Sequence, residues 1–106
     1  MNRNEKVAGE IKELAAQFLE RENDRTSLIT IISANVSPDL KRGTLFITVL
    51  PTEKETSALN FVRRQLGDFR KYLKNNLQIK TIPFLDVAID LGEKNRQKID
   101  ELLREK

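Results

Sequence analysis

The chain of 106 residues contains neither cysteine nor histidine. The absence of cysteine excludes a disulfide framework and thiolate chemistry. The absence of histidine excludes Ser-His-Asp and Cys-His catalytic arrangements, and together the two absences exclude a zinc site of the usual cysteine and histidine type. Any catalysis would have to depend on carboxylates, lysine, tyrosine or a hard metal ion, and we predict no metal site.

Long hydrophobic runs are absent as well. No apolar run approaches the roughly 20 residues needed to span a bilayer, and the N-terminal sequence MNRNEKVAGEIKEL lacks the apolar segment of a secretory signal. The length is enough for one domain with a modest core. We therefore expect a single domain, residues 1–106, in the cytoplasm and without a membrane partner.

The hydrophobic spacing predicts helices at 5–20, at about 54–76 and at 93–104. Runs rich in β-branched and apolar residues predict strands at 28–36, 44–50 and 84–91. The first two strands are expected to pair as an antiparallel hairpin, and the long helical segment before the third allows a crossover and a mixed sheet. Thr52 and Glu55 resemble a capping box at the start of the middle helical segment.

Positive charge is concentrated in residues 61–80, FVRRQLGDFRKYLKNNLQIK. Residues 63–80 hold six lysines and arginines and one acid, a net charge of +5, whereas the other 88 residues sum to −2. On a continuous helix the apolar side chains would form one stripe, made of Val62, Leu66, Phe69, Leu73 and Leu77. A neighbouring row would hold Arg63, Gly67, Arg70 and Lys74.

Gly67 thus lies within a row of cations, although glycine inside a helix costs roughly 0.5–1 kcal/mol relative to alanine. A position without a side chain, flanked by cations, would let a phosphate approach the backbone. A kink at this glycine would also free N–H groups at a new helix N-terminus, which attract anions. The alternative is that Gly67 is a tolerated surface glycine and that the charges form a solvated face.

Three stretches of the chain resemble the ribosome-binding factor A family. They are ITIISANVSPDLKRGTLFITVL, which includes that family's Val-Ser-Pro-Asp-Leu signature at 36–40, then LGDFRKYLKNNLQIKTIPFLDVAID, and KIDELL at 98–103. Together they cover nearly all of residues 5–103 in the right order. The resemblance implies an α+β domain of type II KH-like fold, in the order α-β-β-α-(kink)-α-β, with a three-stranded sheet and a short C-terminal helix.

The family replaces the Gly-x-x-Gly loop of ordinary KH domains with an Ala-x-Gly kink between two helices. Gly67 falls on the glycine of that kink, and Gln65 stands where the family usually has alanine. Lys94 and Arg96 replace the acidic residue and the glycine that the family carries after its third strand. The resemblance therefore implies two helices that meet near Gly67.

The resemblance also implies a bacterial assembly factor that binds free 30S subunits and assists late maturation of the 16S rRNA. It implies no catalytic residues, and we expect no cofactor, no small-molecule substrate and a monomer. The alternative is a KH-like protein-interaction module that contacts ribosomal or assembly proteins without a specific RNA site. Ionic strength separates the two, because RNA binding weakens steeply with salt and protein docking weakens less.

The predicted RNA-binding residues are Arg63, Arg64, Gly67, Arg70, Lys71, Lys74, Lys80, Lys41 and Arg42. Three of them, Arg63, Arg70 and Lys74, would supply phosphate contacts around the glycine. On a straight helix Arg64 and Lys71 would face elsewhere and would join only if a kink rotated them. Lys80 would extend the surface towards the third strand, and Lys41 and Arg42 would add contacts from a loop tip.

Other polar and aromatic residues have structural alternatives. Residues 37–40, Ser-Pro-Asp-Leu, could contact RNA or could only shape the turn, with Asp39 capping local N–H groups and Leu40 packing back. Tyr72 could stack on a base or could cover the edge of the core. Asp86 and Asp90 could form a carboxylate pair or a solvated strand face.

Overall fold

The structure is a computed structural model, and it describes residues 3–22 and 27–91. Helix α1 spans Arg3–Glu22 and helix α2 spans Glu55–Asn76. The strands are β1, Leu28–Val36, β2, Arg42–Leu50, and β3, Phe84–Ile89, and a 3₁₀ turn covers Thr52–Lys54. The helix predicted at 93–104 and the residues Lys94 and Arg96 lie outside the described part of the chain.

The three strands form one mixed sheet with β2 in the centre. β1 and β2 pair antiparallel across the short loop at 37–41, and β2 and β3 pair parallel, with α2 as the crossover between them. The antiparallel hairpin and the mixed sheet agree with the sequence prediction, whereas the choice of β2 as the partner of β3 was not predicted. The geometry requires a long connection only for the parallel pair, which is where the helical segment falls.

A bulge in β1 explains why the apolar residues of that strand do not alternate simply. The register with β2 shifts between Ile31 and Ser33, so one extra residue is accommodated there. Before the bulge, Ile29 and Ile31 face the core, and after it Ala34 and Val36 do. Because one inserted residue changes which side chains point inward, period-two counting along 28–36 could not identify the buried face.

Both helices cover the same face of the sheet. α1 packs on β1, α2 packs on β3, and the two helices contact each other. The side chains in this layer that are almost fully enclosed include Ile11, Leu45, Ile47, Val62, Leu73 and Val87. The stripe predicted on α2 is confirmed, because Val62, Phe69, Leu73 and Leu77 are buried and Leu66 packs against them.

α2 differs from the prediction at its start and in its middle. No side chain caps its first turn, and the 3₁₀ turn leads directly into it, so the expected capping box of Thr52 and Glu55 is wrong. The helix then runs without interruption from Glu55 to Asn76, so the two helices expected around Gly67 are one. No second helix N-terminus forms there to offer free N–H groups. Neither of the two described helices has an apolar stretch that could cross a membrane.

Candidate nucleic-acid interface

The second half of α2 and the loop after it enclose a groove of 700 Å³. We call it the basic groove; its lining consists of Gly67, Arg70, Lys71 and Lys74 from α2 and Ile79, Lys80, Thr81 and Ile82 from the loop. α2 ends because Leu77 adopts an extended conformation and is buried, which brings the loop back along the helix. Four cations from two separate segments therefore surround one concave surface.

Gly67 is exposed on the helix side of the basic groove. Beyond the local backbone of α2, a Cβ atom added there would meet no atom within 4 Å, and the backbone is ordinary helix, so any residue other than proline could adopt this conformation. Neither packing nor backbone conformation requires glycine at this position. The missing side chain leaves space in the lining of the basic groove, one turn before Lys71.

Arg70 has a structural role that the sequence prediction did not include. Its Nη2 donates a hydrogen bond of 2.9 Å to the carbonyl oxygen of Ile82, and its Cζ lies 4.6 Å from the centroid of the Phe84 ring. The side chain is half-buried between these partners. Arg70 therefore ties the loop at 77–83 to α2 and sets the distance between the two sides of the basic groove.

A second groove, of 380 Å³, lies where β2 and β3 begin. We call it the strand groove; its lining consists of Arg42, Gly43, Thr44, Phe84, Leu85 and Asp86. The Nε of Arg63 on α2 lies 3.7 Å from Oδ1 of Asp86, and both side chains are more than half exposed. An ion pair this exposed stabilises the fold little, so Arg63 can exchange this carboxylate for another anion.

The loop between β1 and β2 is held by its own polar groups. The Ser37 hydroxyl donates to Asp39, the backbone N–H of Lys41 donates to the same carboxylate oxygen at 3.0 Å, and the N–H of Arg42 donates to Ser37 Oγ at 3.1 Å. The bond from Ser37, and then the bond from the Lys41 N–H, lower the pKa of Asp39 below its usual value. Leu40 has a φ of 61° and packs against the core. These contacts agree with the structural alternative for residues 37–40.

The structure brings five of the nine predicted residues together around the basic groove. They are Gly67, Arg70, Lys71, Lys74 and Lys80. The expectation that Lys71 would face elsewhere without a kink is wrong: it lies one turn after Gly67, at i+4, and lines the groove on a continuous helix. Arg63 was expected beside Gly67 but faces Asp86 of the strand groove instead. Arg42 lines that groove, Lys41 is exposed next to it, and Arg64 is exposed on α2 one turn before Gly67.

Comparison with known proteins connects this geometry to a family. The family model of ribosome-binding factor A matches residues 3–103. The chain belongs to that family. The ribosome-binding factor A of Geobacter metallireducens is 30% identical over 106 residues, covering 97% of this chain and 90% of its own length. That of Thermodesulfovibrio yellowstonii is 32% identical over 95 residues, covering 89% of this chain and 80% of its own.

A solved structure shows the same fold. The crystal structure of ribosome-binding factor A from Thermus thermophilus matches with a TM-score of 0.73 at 16% identity, covering 81% of this chain and 94% of that one. The α+β, type II KH-like architecture expected from the resemblance is confirmed. Ribosome-binding factors are not a known enzyme family, and membership supports a ribosome-associated role for this chain.

The contacts of Tyr72 and Asp86 favour the structural alternatives for both residues. Tyr72 packs against Phe18 and Phe69, with ring centroids 5.5 and 6.4 Å away, so it covers the edge of the core as the structural alternative held. The Asp86 carboxylate faces Arg63 and accepts a bond from the N–H of Val87. Asp86 therefore lies exposed in the strand groove, which agrees with the solvated strand face.

Phe84 was not among the residues predicted for the interface. It is the first residue of β3, follows Pro83, and alternates with the inward-facing Leu85 and Val87, so its ring points away from the core. The available signal was that alternation, which puts an aromatic side chain on the same outward strand face as Asp86. Its guanidinium partner, Arg70, could not be anticipated, since the two side chains lie on separate elements that only the folded loop brings together.

Proposed function

We propose that this protein binds free 30S ribosomal subunits and assists late maturation of the 16S rRNA, holding backbone phosphates in the basic groove. It acts as a cytoplasmic monomer and contributes no catalytic group. Family membership supports ribosome binding, and the charge of the groove supports RNA as the ligand. Phosphates dominate the affinity of most protein–nucleic acid contacts, and lysines neutralise them as mobile point charges.

The observation that carries the proposal is the convergence of Lys71, Lys74 and Lys80 on one concave surface whose lining also includes Gly67. These three lysines are exposed, so no carboxylate partner has to be displaced from a buried site before they meet an anion. Arg70 holds the loop side in place, so the groove exists before the ligand arrives. A preformed cationic groove costs little reorganisation on binding.

The distribution of charge elsewhere supports the same surface. α1 carries four cations and five acids, a net charge of −1, although it is nearly as long as α2. The excess positive charge of the chain therefore lies on α2 and its following loop. A one-sided charge distribution of this kind orients a protein as it approaches a polyanion.

The test is co-sedimentation with purified 30S subunits, 50S subunits and 70S ribosomes across a salt series. We compare the wild type with a Lys71→Ala, Lys74→Ala, Lys80→Ala triple variant. The control is a Lys12→Ala, Arg21→Ala, Lys54→Ala triple variant, which removes the same charge from exposed positions outside the basic groove. The wild type should be retained on free 30S subunits and released as salt rises.

The groove variant should lose affinity and show a slope of log affinity against log salt that is shallower by about 2–3, because each lost phosphate contact removes roughly 0.7–0.9. The control variant should keep the wild-type slope. Equal retention and equal slopes for the two triple variants would refute the proposal. A measurement of maturation, the level of 16S precursor in cells that carry only the groove variant, should show accumulation.

One observation favours a protein contact at a different place. Leu28 and Leu50 lie directly opposite each other in the hairpin register, and each is 59% exposed. They are at the end of the sheet away from both grooves. If 30S retention resists salt and the groove variant, yet falls in a Leu28→Ser, Leu50→Ser variant, the protein-interaction alternative describes the function.

A further inference from the structure

Phe84 is the most exposed of the large hydrophobic side chains in the described residues, at 71% of its surface. One face of its ring is covered by the Arg70 guanidinium, 4.6 Å from the ring centroid. The rest of the ring is open to solvent. Exposed apolar residues that occur singly need no explanation, but this one is an aromatic ring placed against a cation that lines a basic groove.

The position of the ring is fixed by the backbone on both sides. The N–H of Phe84 donates a 2.9 Å hydrogen bond to the carbonyl oxygen of Lys41, and Phe84 stands opposite Arg42 in the parallel register. Arg70 is itself held by its bond to Ile82. The ring and its guanidinium partner are therefore presented on rigid elements, which limits the entropy lost when a flat ligand stacks on them.

Phe84 also lies at the junction of the two grooves. It lines the strand groove, and its partner Arg70 lines the basic groove. A nucleic-acid strand that leaves the cations of the basic groove towards β2 therefore passes over this ring. Asp86 lies just beyond it in the strand groove. Its carboxylate, which lies 3.7 Å from Arg63, can also accept a hydrogen bond from the amino group of a base.

We propose that the exposed face of Phe84 stacks on the base of an unpaired nucleotide whose neighbouring phosphates occupy the basic groove. This inference rests on the proposed function, because it places a base beside the phosphates that the lysines bind. It goes beyond it by making the preferred RNA single-stranded at this point. Aromatic rings stack on any base, so the contact selects unpaired over paired RNA rather than one sequence.

The test uses a single-stranded RNA decamer that carries one 2-aminopurine, and a blunt duplex of the same length. Binding is followed by fluorescence anisotropy and stacking by quenching of 2-aminopurine emission. The variants are Phe84→Leu, which keeps an apolar side chain without a ring, and Phe84→Tyr, which keeps the ring. The control is Leu50→Ala, a similarly exposed apolar residue roughly 27 Å away along β2.

We expect Phe84→Leu to bind the single strand about 5- to 100-fold more weakly than the wild type and to lose quenching. Phe84→Tyr and Leu50→Ala should behave as the wild type, and duplex binding should change little in any variant. Because Lys71, Lys74 and Lys80 are intact, the salt dependence should persist in Phe84→Leu.

The outcomes separate this inference from the proposed function. If the wild type binds RNA with a steep salt dependence and Phe84→Leu binds and quenches equally well, only the stacking contact is overturned. If Phe84→Leu keeps its affinity for the decamer but loses retention on 30S subunits, the ring meets a protein, and the stacking contact is overturned as well. If the wild type binds neither RNA at any salt concentration, the proposed function fails and this inference fails with it.

Discussion

Gly43 and Gly67 differ in what surrounds the place where a side chain would be. A Cβ atom at Gly43 would lie 2.7 Å from the carbonyl oxygen of Asn35 and 2.9 Å from a methyl group of Leu85. A Cβ atom at Gly67 would have no neighbour within 4 Å. At Gly43 the close packing of β1, β2 and β3 requires glycine. At Gly67 the packing would accept a side chain, and glycine makes the helix less stable than alanine would.

The comparison shows that free space does not identify a binding site by itself. Gly9 in α1 has as much room as Gly67 and is also exposed. The difference is chemical, because the cleft beside Gly9 has a glutamate and one lysine on its rim, whereas the basic groove beside Gly67 has four cations. We therefore propose that Gly67 serves the binding of a negatively charged ligand, and Gly9 provides a matched control for every substitution at Gly67.

The largest effect is expected at Gly43. A Gly43→Ala substitution should lower the free energy of unfolding by about 1–3 kcal/mol, because the backbone oxygen of Asn35 cannot move away without disturbing the sheet. Urea unfolding followed by circular dichroism measures the change. Unaltered stability would mean that the sheet relaxes easily here and that the contrast between the two glycines is weaker than the distances indicate.

Arg70 and Lys71 are neighbours in the chain, but we expect the fold to depend on Arg70, as it does on Gly43, and not on Lys71. Arg70→Ala should lower the free energy of unfolding by about 1–2 kcal/mol, because it removes the bond to Ile82 and the contact with Phe84. Lys71→Ala should change stability by no more than about 0.5 kcal/mol, since its side chain is exposed. Lys71→Ala should nevertheless weaken 30S binding.

Thermal unfolding and co-sedimentation of the same two variants measure both quantities. Arg70→Lys is a useful companion, because it keeps the charge but cannot reproduce the planar contact with the ring. If Lys71→Ala destabilises the fold as much as Arg70→Ala, the division between a structural cation and a ligand-binding cation is wrong.

A smaller effect of opposite sign is expected at Gly67. Gly67→Ala should raise the free energy of unfolding by about 0.5–1 kcal/mol, because alanine favours the helix and meets no obstacle. Gly9→Ala should produce a similar gain for the same reason. Differential scanning calorimetry of the two variants checks this. A loss of stability at Gly67 but not at Gly9 would show that the fold does depend on that glycine.

The sequence predicted the fold better than it predicted the site, for physical reasons. Periodicity and β-branched runs located both helices and all three strands within a few residues, because each element must bury one apolar face. The bulge in β1 was hidden, since its position depends on pairing with β2. The segregation of charge in 63–80 identified the basic groove, but the direction of each cation depends on the loop at 77–83, which folds back only in three dimensions.

The structural role of Arg70 was the hardest feature to predict, because it depends on a carbonyl oxygen, and backbone groups leave no mark on residue identity. The kink that was expected to bring Lys71 towards Gly67 is not needed either. Lys71 joins Gly67 and Lys74 at the basic groove because i+4 and i+7 positions share a face of a continuous helix.

The smallest effect is expected in the loop that leads to Gly43. Asp39 has a lowered pKa in the folded state, chiefly because Ser37 donates to it. The ionised Asp39 carboxylate therefore contributes its full stabilisation at pH values above the ordinary pKa of an aspartate. That stabilisation is lost as the pH falls through the lower pKa that Asp39 has in the folded state. The difference in stability between wild type and Asp39→Asn should shrink as pH falls below about 4.

Urea unfolding at a series of acidic pH values measures this difference. Ser37→Ala removes the main cause of the shift and should flatten the pH dependence in the same range. A difference that grows on acidification would mean that the carboxylate is not held by these donors.

We propose that the open space at Gly67 lets phosphate enter the basic groove. A Gly67→Gln substitution, with Gly9→Gln as its control, tests this proposal. Glutamine favours a helix more than glycine does, so both variants should be slightly more stable than the wild type. In co-sedimentation with free 30S subunits, Gly67→Gln should bind about 10-fold more weakly or worse, because the new side chain occupies space in the lining of the basic groove. Gly9→Gln should bind as the wild type does. If a well-folded Gly67→Gln protein binds 30S subunits as the wild type does, the open space at Gly67 is not needed for binding.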